Sequence, residues 1–292
     1  LSIVYDGGNL GVVTISNSFF ISNEAPVGKG GAIQVKPVTG DKSQQMHSNI
    51  GVIIRGSIFT NNTAAIAGGA IYVNVIDQSS VIIEKVIIER SRGLLGGCTI
   101  VGSSSSLKIL NCSFANNLAN ALAIFHNVKN VEILDSSFVG NFPLSGSFGG
   151  ALVISDYMKC KPEQWQQGSY AIIQNTTFKS NIAVISGGAV YLANCKTKIR
   201  NCHFFDNFAQ RYGDHVYALK TNNLTILDSI YKQTGNKPRL INGMYYSDHS
   251  SLIDIVDIET LVMSNTTVES KAYSRDKGRS EEHTSELQSP MY

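Results

Sequence analysis

Asp206, Asp214 and His215, with Asp228 further along, are the nearest approach to a catalytic group in this chain. Two carboxylates flanking a sugar linkage could divide acid and base roles, and several on adjacent elements could hold Ca²⁺. No Asp-Asp, Gly-His-Gly or Arg-Ile-Lys sequence of the kind glycan-cleaving enzymes use accompanies them. Gly213-Asp214-His215 also reads as a worn copy of a glycine corner that recurs along the chain. The six histidines lack metal-ligand spacing, so neither a metal nor a cofactor is expected.

Whatever chemistry exists must be positioned by a repeat. The fullest copy runs from Ile173 to Leu192, and its skeleton is I-x-[N/D/G]-x-x-F-x-x-N-x-A, a few variable residues, then G-G-A-[I/V]-x-[V/L]. Aligned on the aromatic position, copies fall at Phe20, Phe59, Ile88, Phe114, Phe138, Phe178, Phe204, Tyr231 and, weakly, Val268. A period of about 24 to 29 residues is a solenoid signature.

Each position of the unit has a physical meaning. Short β-branched runs such as Val131-Glu132-Ile133 and Thr197-Lys198-Ile199 alternate at period two, as strands with one buried face do. Two residues past their last Ile stand Asn17, Gly56, Asn111, Asp135, Asn175, Asn201, Asp228 and Asn265, types that tolerate the left-handed conformation of a corner. The aromatic residue then points inward. Three residues on come Asn23, Asn62, Asn117, Asn141, Asn181 and Asn207, relaxing to Ser91 and Thr234; in-register stacking would make these a hydrogen-bonded ladder. Glycine pairs such as Gly68-Gly69 and Gly187-Gly188 mark another corner, and the strand after it places Ile71 and Val73, or Val190 and Leu192, inward. No segment keeps a 3.6-residue period, so helix is excluded. The expected fold is all-β, a right-handed parallel β-helix of eight to nine coils and roughly 40 Å in length.

The paired motifs, as in Phe59-Thr60-Asn61-Asn62 with Gly68-Gly69-Ala70-Ile71, resemble those of the chlamydial polymorphic outer-membrane proteins and of eukaryotic surface proteins built on the same repeats. The likeness covers about residues 3 to 272. It implies an extracellular or cell-surface module for adhesion or recognition, non-catalytic, with a glycan or protein ligand. Two units depart from the pattern: Ala121-Leu122-Ala123 is read in place of Gly-Gly-Ala in the fourth, and Gly213-Asp214-His215 in the seventh. The alternative function is a polysaccharide lyase or glycoside hydrolase of the pectin-lyase-like fold, resting on Asp206, Asp214 and His215.

Parity offers a better candidate surface. If Ile71 and Val73 face the core, Tyr72 faces out, and the equivalent positions are read as Gln34, Ile100, Phe125, Val153, Tyr191 and Tyr217. Tyr72, Phe125, Tyr191 and Tyr217 are thus the candidate binding face, with rings outside the ladders that hold the coils together. The insertions Lys36 to Asn49 and Ser155 to Ser169 could instead fold back over it.

Composition narrows the partners. A chain of 292 residues with 43% hydrophobic content can bury a core, while a net charge of +2 from scattered Lys and Arg gives no nucleic-acid footprint. No membrane span is expected. Cys112 and Cys202 occupy the place of Ser18, Ser57, Ser136 and Thr176 in other units and read as small core-facing residues. Cys160 and Cys195 follow the same strand of neighbouring coils and form a candidate disulfide, which needs an oxidising compartment. Asn61, Asn111, Asn175, Asn223 and Asn265 satisfy N-x-[S/T]; Asn61, which neighbours an inward Asn, and Asn223, in a turn, are the candidate glycosylation sites.

Residues 1–272 are therefore read as one β-helix domain, a fragment of a longer protein, and 273–292 as an unstructured tail. Within the tail, Arg279 to Ser289 reads as the translation of a sequencing adapter and is left out of the fold.

Overall fold

Each unit lays down three strands and turns the chain at the junctions between them. In the sixth unit these are Ser169–Gln174, Thr177–Lys179 and Val190–Ala193. Every strand of this kind pairs in parallel with its counterpart in the neighbouring unit, so three sheets of nine strands each run along the molecule. The result is a right-handed parallel β-helix, the hand that crossover connections between parallel strands adopt. The structure, a computed structural model, describes residues 1–5, 11–37, 50–75, 78–102, 105–125, 128–142, 148–155, 169–220, 223–234, 240–241, 244–245, 252–256 and 260–270. The described residues contain no helix. Of the two insertions only Lys36, Pro37, Ser155 and Ser169 are among them, and the tail lies outside them.

Local conformation explains the residue types at the corners. Asn17, Asn111, Asp135, Asn175, Asn201, Asp228 and Asn265 all have φ between 47° and 52°, the left-handed region where a short polar side chain is tolerated. Lys85 adopts the same conformation in the third unit at φ 53°. At the glycine corner Gly187 has φ 70°, and a Cβ on its neighbour Gly188 would overlap the carbonyl oxygens of Asp214 and Phe208 in the next coil. The first glycine is needed for its dihedral and the second for close approach.

In-register stacking then builds the core. Ile54, Ile83, Ile109, Ile133, Ile173, Ile199 and Ile226 lie one above another and are fully buried. The aromatic column is equally continuous: Phe114, Phe138, Phe178, Phe204 and Tyr231 stack with ring centroids 4.4 to 5.0 Å apart and planes within 9° of parallel. That spacing follows from the coil repeat, because strands paired in a sheet lie about 4.8 Å apart. Beside it runs the asparagine ladder. Asn117 Nδ2 donates to Asn141 Oδ1 at 2.9 Å and to the Ile88 carbonyl at 3.1 Å, while the Asn117 backbone N–H shares the same Oδ1. The Asn141–Asn181 and Asn181–Asn207 pairs repeat this pattern, so each buried amide is satisfied at no cost in packing.

Two units are in a different register from the one the motifs imply. Ile71 pairs with Cys98, and Cys98 with Leu122. The column of Ala32, Ala70 and Ala151 therefore continues through Gly97 and Ala121, and Ala119-Asn120-Ala121, not Ala121-Leu122-Ala123, replaces Gly-Gly-Ala in the fourth coil. Gly96-Gly97 is likewise one residue out of step with Gly68-Gly69. In strands a one-residue shift exchanges the two faces.

Candidate functional site

The acidic group proposed from sequence does not assemble into a site. Asp214 and His215 are completely buried, on coil positions held elsewhere by a Gly and an Ala. Asp214 Oδ1 accepts the Ala209 backbone N–H at 3.0 Å. His215 turns into the core, with its ring 6.1 Å from that of Phe204 and 6.0 Å from that of Tyr231, and its Nδ1 lies 3.1 Å from Asn207 Nδ2. Asp206 sits on a corner at φ 49° and accepts from the Thr234 N–H at 2.6 Å. Asp228, on another corner, pairs with Arg200 at 3.6 Å. Asp214 and His215 are thus closed to solvent, while Asp206 and Asp228 stand on two different corners.

Other candidates are placed as follows. Cys195 starts an inward-facing strand and is buried, with Sγ 3.3 Å from Thr197 Oγ1; Cys160, its proposed partner, lies outside the described residues. Burial pushes the Cys112 thiol up to about 11 and the Cys202 thiol up to about 12, so both remain protonated and inert as nucleophiles. Both are buried at the corner serine position, where the Cys112 N–H donates to Ser136 Oγ and the Cys202 N–H to Ser229 Oγ. Asn61 and Asn223 are exposed; Asn61 Nδ2 donates to Ser22 Oγ and Asn223 Oδ1 accepts from Thr225 Oγ1.

The outward column is Gln34, Tyr72, Thr99, Ala123, Val153, Tyr191 and Tyr217. Ile100 belongs to the core, paired with Val73, and Phe125 belongs to the adjacent outward column with Val101 and Ser155. Ile100 is displaced by the one-residue shift at Gly96-Gly97, and Phe125 by a two-residue shift at Ala119-Asn120-Ala121, which preserves its outward parity. Nor is the column open to solvent. Tyr72 and Tyr191 are each only 5% exposed, because the segment between the asparagine ladder and the glycine corner overhangs this face. Lys29 Nζ lies 4.7 Å above the Tyr72 ring, Phe148 packs at 4.6 Å on Tyr191, and Tyr212 sits 6.2 Å from Tyr217. Of the four candidate aromatics, Phe125 and Tyr217 keep partial access.

The overhanging segment carries a surface that the sequence reading passed over as variable residues. Val27, Ile66, Leu94, Leu95 and Leu118 are 85, 41, 59, 44 and 42% exposed on successive coils. Leu95 N–H donates to the Ile66 carbonyl, which fixes the two segments side by side. Small residues Ala64, Gly93 and Ala119 floor a cleft of about 290 Å³ whose walls include Pro26, Leu94, Leu118, Glu24 and Arg92. The legible signal was an apolar residue between the Asn and the glycine corner in unit after unit.

Residues 56–74 match the Chlamydia polymorphic membrane protein repeat. That stretch spans the third-sheet strand, the Asn62 ladder position and the Gly68-Gly69 corner. Metabotropic glutamate receptor-like protein R of Dictyostelium discoideum is 23% identical over 182 residues, which cover 61% of this chain. The chain spans about a tenth of the length of that relative. The crystal structure of pectate lyase Pel9A aligns with a TM-score of 0.41 at 12% identity, over 88% of this chain and 70% of the other. Among the described residues no helix is long and apolar enough to cross a membrane.

Proposed function

We propose that this chain is a non-catalytic, extracellular or cell-surface β-helix module for adhesion or recognition, with the overhung flank as its binding face. The observation that carries the reading is the stripe of Val27, Ile66, Leu94, Leu95 and Leu118, apolar side chains held in solvent on neighbouring coils. Exposed apolar side chains gathered in this way, beside a cleft with charged walls, are a mark of interaction surfaces. A rigid rod suits such a role, since coil stacking fixes the spacing of side chains along the face without ordering cost on binding. The repeat shared with a membrane-protein family supports a surface location. Partly accessible Phe125 and Tyr217 extend the face toward the later coils.

The test is attachment of the purified module to intact cells, compared with a variant carrying Ile66→Ser and Leu94→Ser. These side chains lie outside the core, so the variant should melt with the parent while losing most of its attachment. Undiminished attachment, with the fold intact, would remove this face from the recognition role.

A further inference from the structure

A second cleft, of about 330 Å³, opens between the overhanging segment and the outward face of the first sheet. Gly28, Lys29, Gln34, Lys36, Pro37, Ile66, Tyr72 and Asn74 line it. We propose that it is a subsite for an acidic glycan, one whose sugar carries a carboxylate or sulfate. The inference rests on the recognition reading above and names a ligand class for that module.

The charge is one-sided. Neither Lys29 nor Lys36 has a carboxylate within 4 Å among the described residues, although four other ion pairs are formed on the rod's surface. Among the described residues, none of those lining the cleft is acidic. The Lys29 ammonium is nevertheless fixed: it donates to the Tyr72 hydroxyl at 3.2 Å and lies 4.7 Å above the ring. A long flexible cation is thereby pre-ordered on an aromatic support, which lowers the entropy lost when an anion binds. In the folded chain Tyr72 is locked by burial, so the support itself is rigid.

The remaining lining favours a sugar. Gln34 and Asn74 offer carboxamides, each with donor and acceptor ends that match vicinal hydroxyls. Ile66 and Pro37 supply apolar edges for the C–H face of a pyranose. Over the later coils Phe148 packs on Tyr191 and Tyr212 lies beside Tyr217. Room for a ligand is left at the Tyr72 end.

The experiment is calorimetric titration of the purified chain with three hexasaccharides: one bearing glucuronate, one sulfated and one neutral. Either charged sugar should bind, the two arms separating carboxylate from sulfate, and binding should weaken as salt rises. Lys29→Gln with Lys36→Gln should reduce that affinity by about tenfold or more while leaving the melting temperature unchanged. Absence of binding by both charged sugars, equal binding of the neutral one, or undiminished binding by the double variant would overturn the proposal. A hexaglutamate peptide that binds as well as the sugars, and is lost in the same variant, would overturn the glycan assignment. Cell attachment separates the two readings: if the Lys variant attaches normally and the Ile66→Ser, Leu94→Ser variant does not, recognition stands and this subsite falls.

Discussion

Asn207 Nδ2 lies 3.1 Å from His215 Nδ1, in the position where the amides of Asn23, Asn117, Asn141 and Asn181 meet the Oδ1 of the next asparagine. The eighth unit offers Thr234 there, which is exposed and engaged with Asp206. His215 therefore ends the ladder by accepting from Asn207, which places its proton on Nε2. A residue that sequence suggests as a catalytic base serves as a structural cap. His215→Ala should leave Asn207 with one amide hydrogen unpartnered and a void beside Phe204 and Tyr231. The expected cost is about 2–4 kcal/mol in equilibrium urea unfolding. A loss below about 0.5 kcal/mol would show that the cap is dispensable.

Phe178 stacks at 5.0 Å on Phe138 and 4.8 Å on Phe204, and none of it is exposed. Phe178→Ala should cost about 3–5 kcal/mol, because the coils above and below are held apart by their own rings and cannot collapse into the gap. Phe20 stacks on Phe59 in the same way but remains partly exposed, so Phe20→Ala should cost clearly less. Equal losses at the two positions would contradict a core built of stacked columns.

Most of the fold is legible in the sequence, since a residue that must stack on its own kind is repeated as that kind. The Ile, Phe and Asn columns announce themselves in this way, and so does the Asn or Asp corner. Legibility fails where sterics admit other solutions. Lys85 and Arg90 take left-handed conformations, with φ 53° and 51°, in a unit that lacks the marker residues. The Gly96-Gly97 pair is real but sits one residue late, so aligning on it turns Ile100 outward, while reading Ala121-Leu122-Ala123 as the next corner, two residues late, moves Phe125 a column sideways. The candidate face was harder still. Parity correctly sends Tyr72 and Tyr191 away from the core, yet whether an outward residue meets water depends on the overhang, whose course no alternation pattern records.

Alkaline pH should weaken the fold through its buried thiols. Burial raises Cys112 to about 11 and Cys202 to about 12, and carries Cys98 higher still, from an ordinary value of 9.0. The folded state holds these protons more tightly than the unfolded chain does. Stability from this source is thus complete below about pH 9 and is lost as pH rises through 11 and 12. Tyr231, buried without a hydroxyl partner among the described residues, is also raised and adds to the decline above pH 10. Denaturation midpoints measured from pH 8 to 11 should fall, and Cys112→Ser with Cys202→Ser should flatten the early part of that fall. Serine already occupies the same corner position in other coils, as at Ser57 and Ser136, so the double variant should be well tolerated at neutral pH. A fall of the same steepness in the variant would assign the effect to other groups.

Tyr191 decides whether the outward aromatics serve packing or binding. From parity alone, Tyr191→Ala would leave unfolding unchanged. The structure gives the opposite expectation, because Tyr191 forms a small second core with Ala123, Val153 and Ala193, stacks at 5.6 Å on Tyr217 and is covered by Phe148. Removing the ring would empty a site walled by the sheet below and the overhang above, and the expected loss is about 2–4 kcal/mol. Tyr217 is less enclosed, so Tyr217→Ala should lose under about 1.5 kcal/mol while still reducing attachment. Thermal unfolding of the two variants side by side makes the comparison. If Tyr191→Ala melts with the parent, the overhang does not press on the sheet in solution, and the outward column returns as an open binding surface.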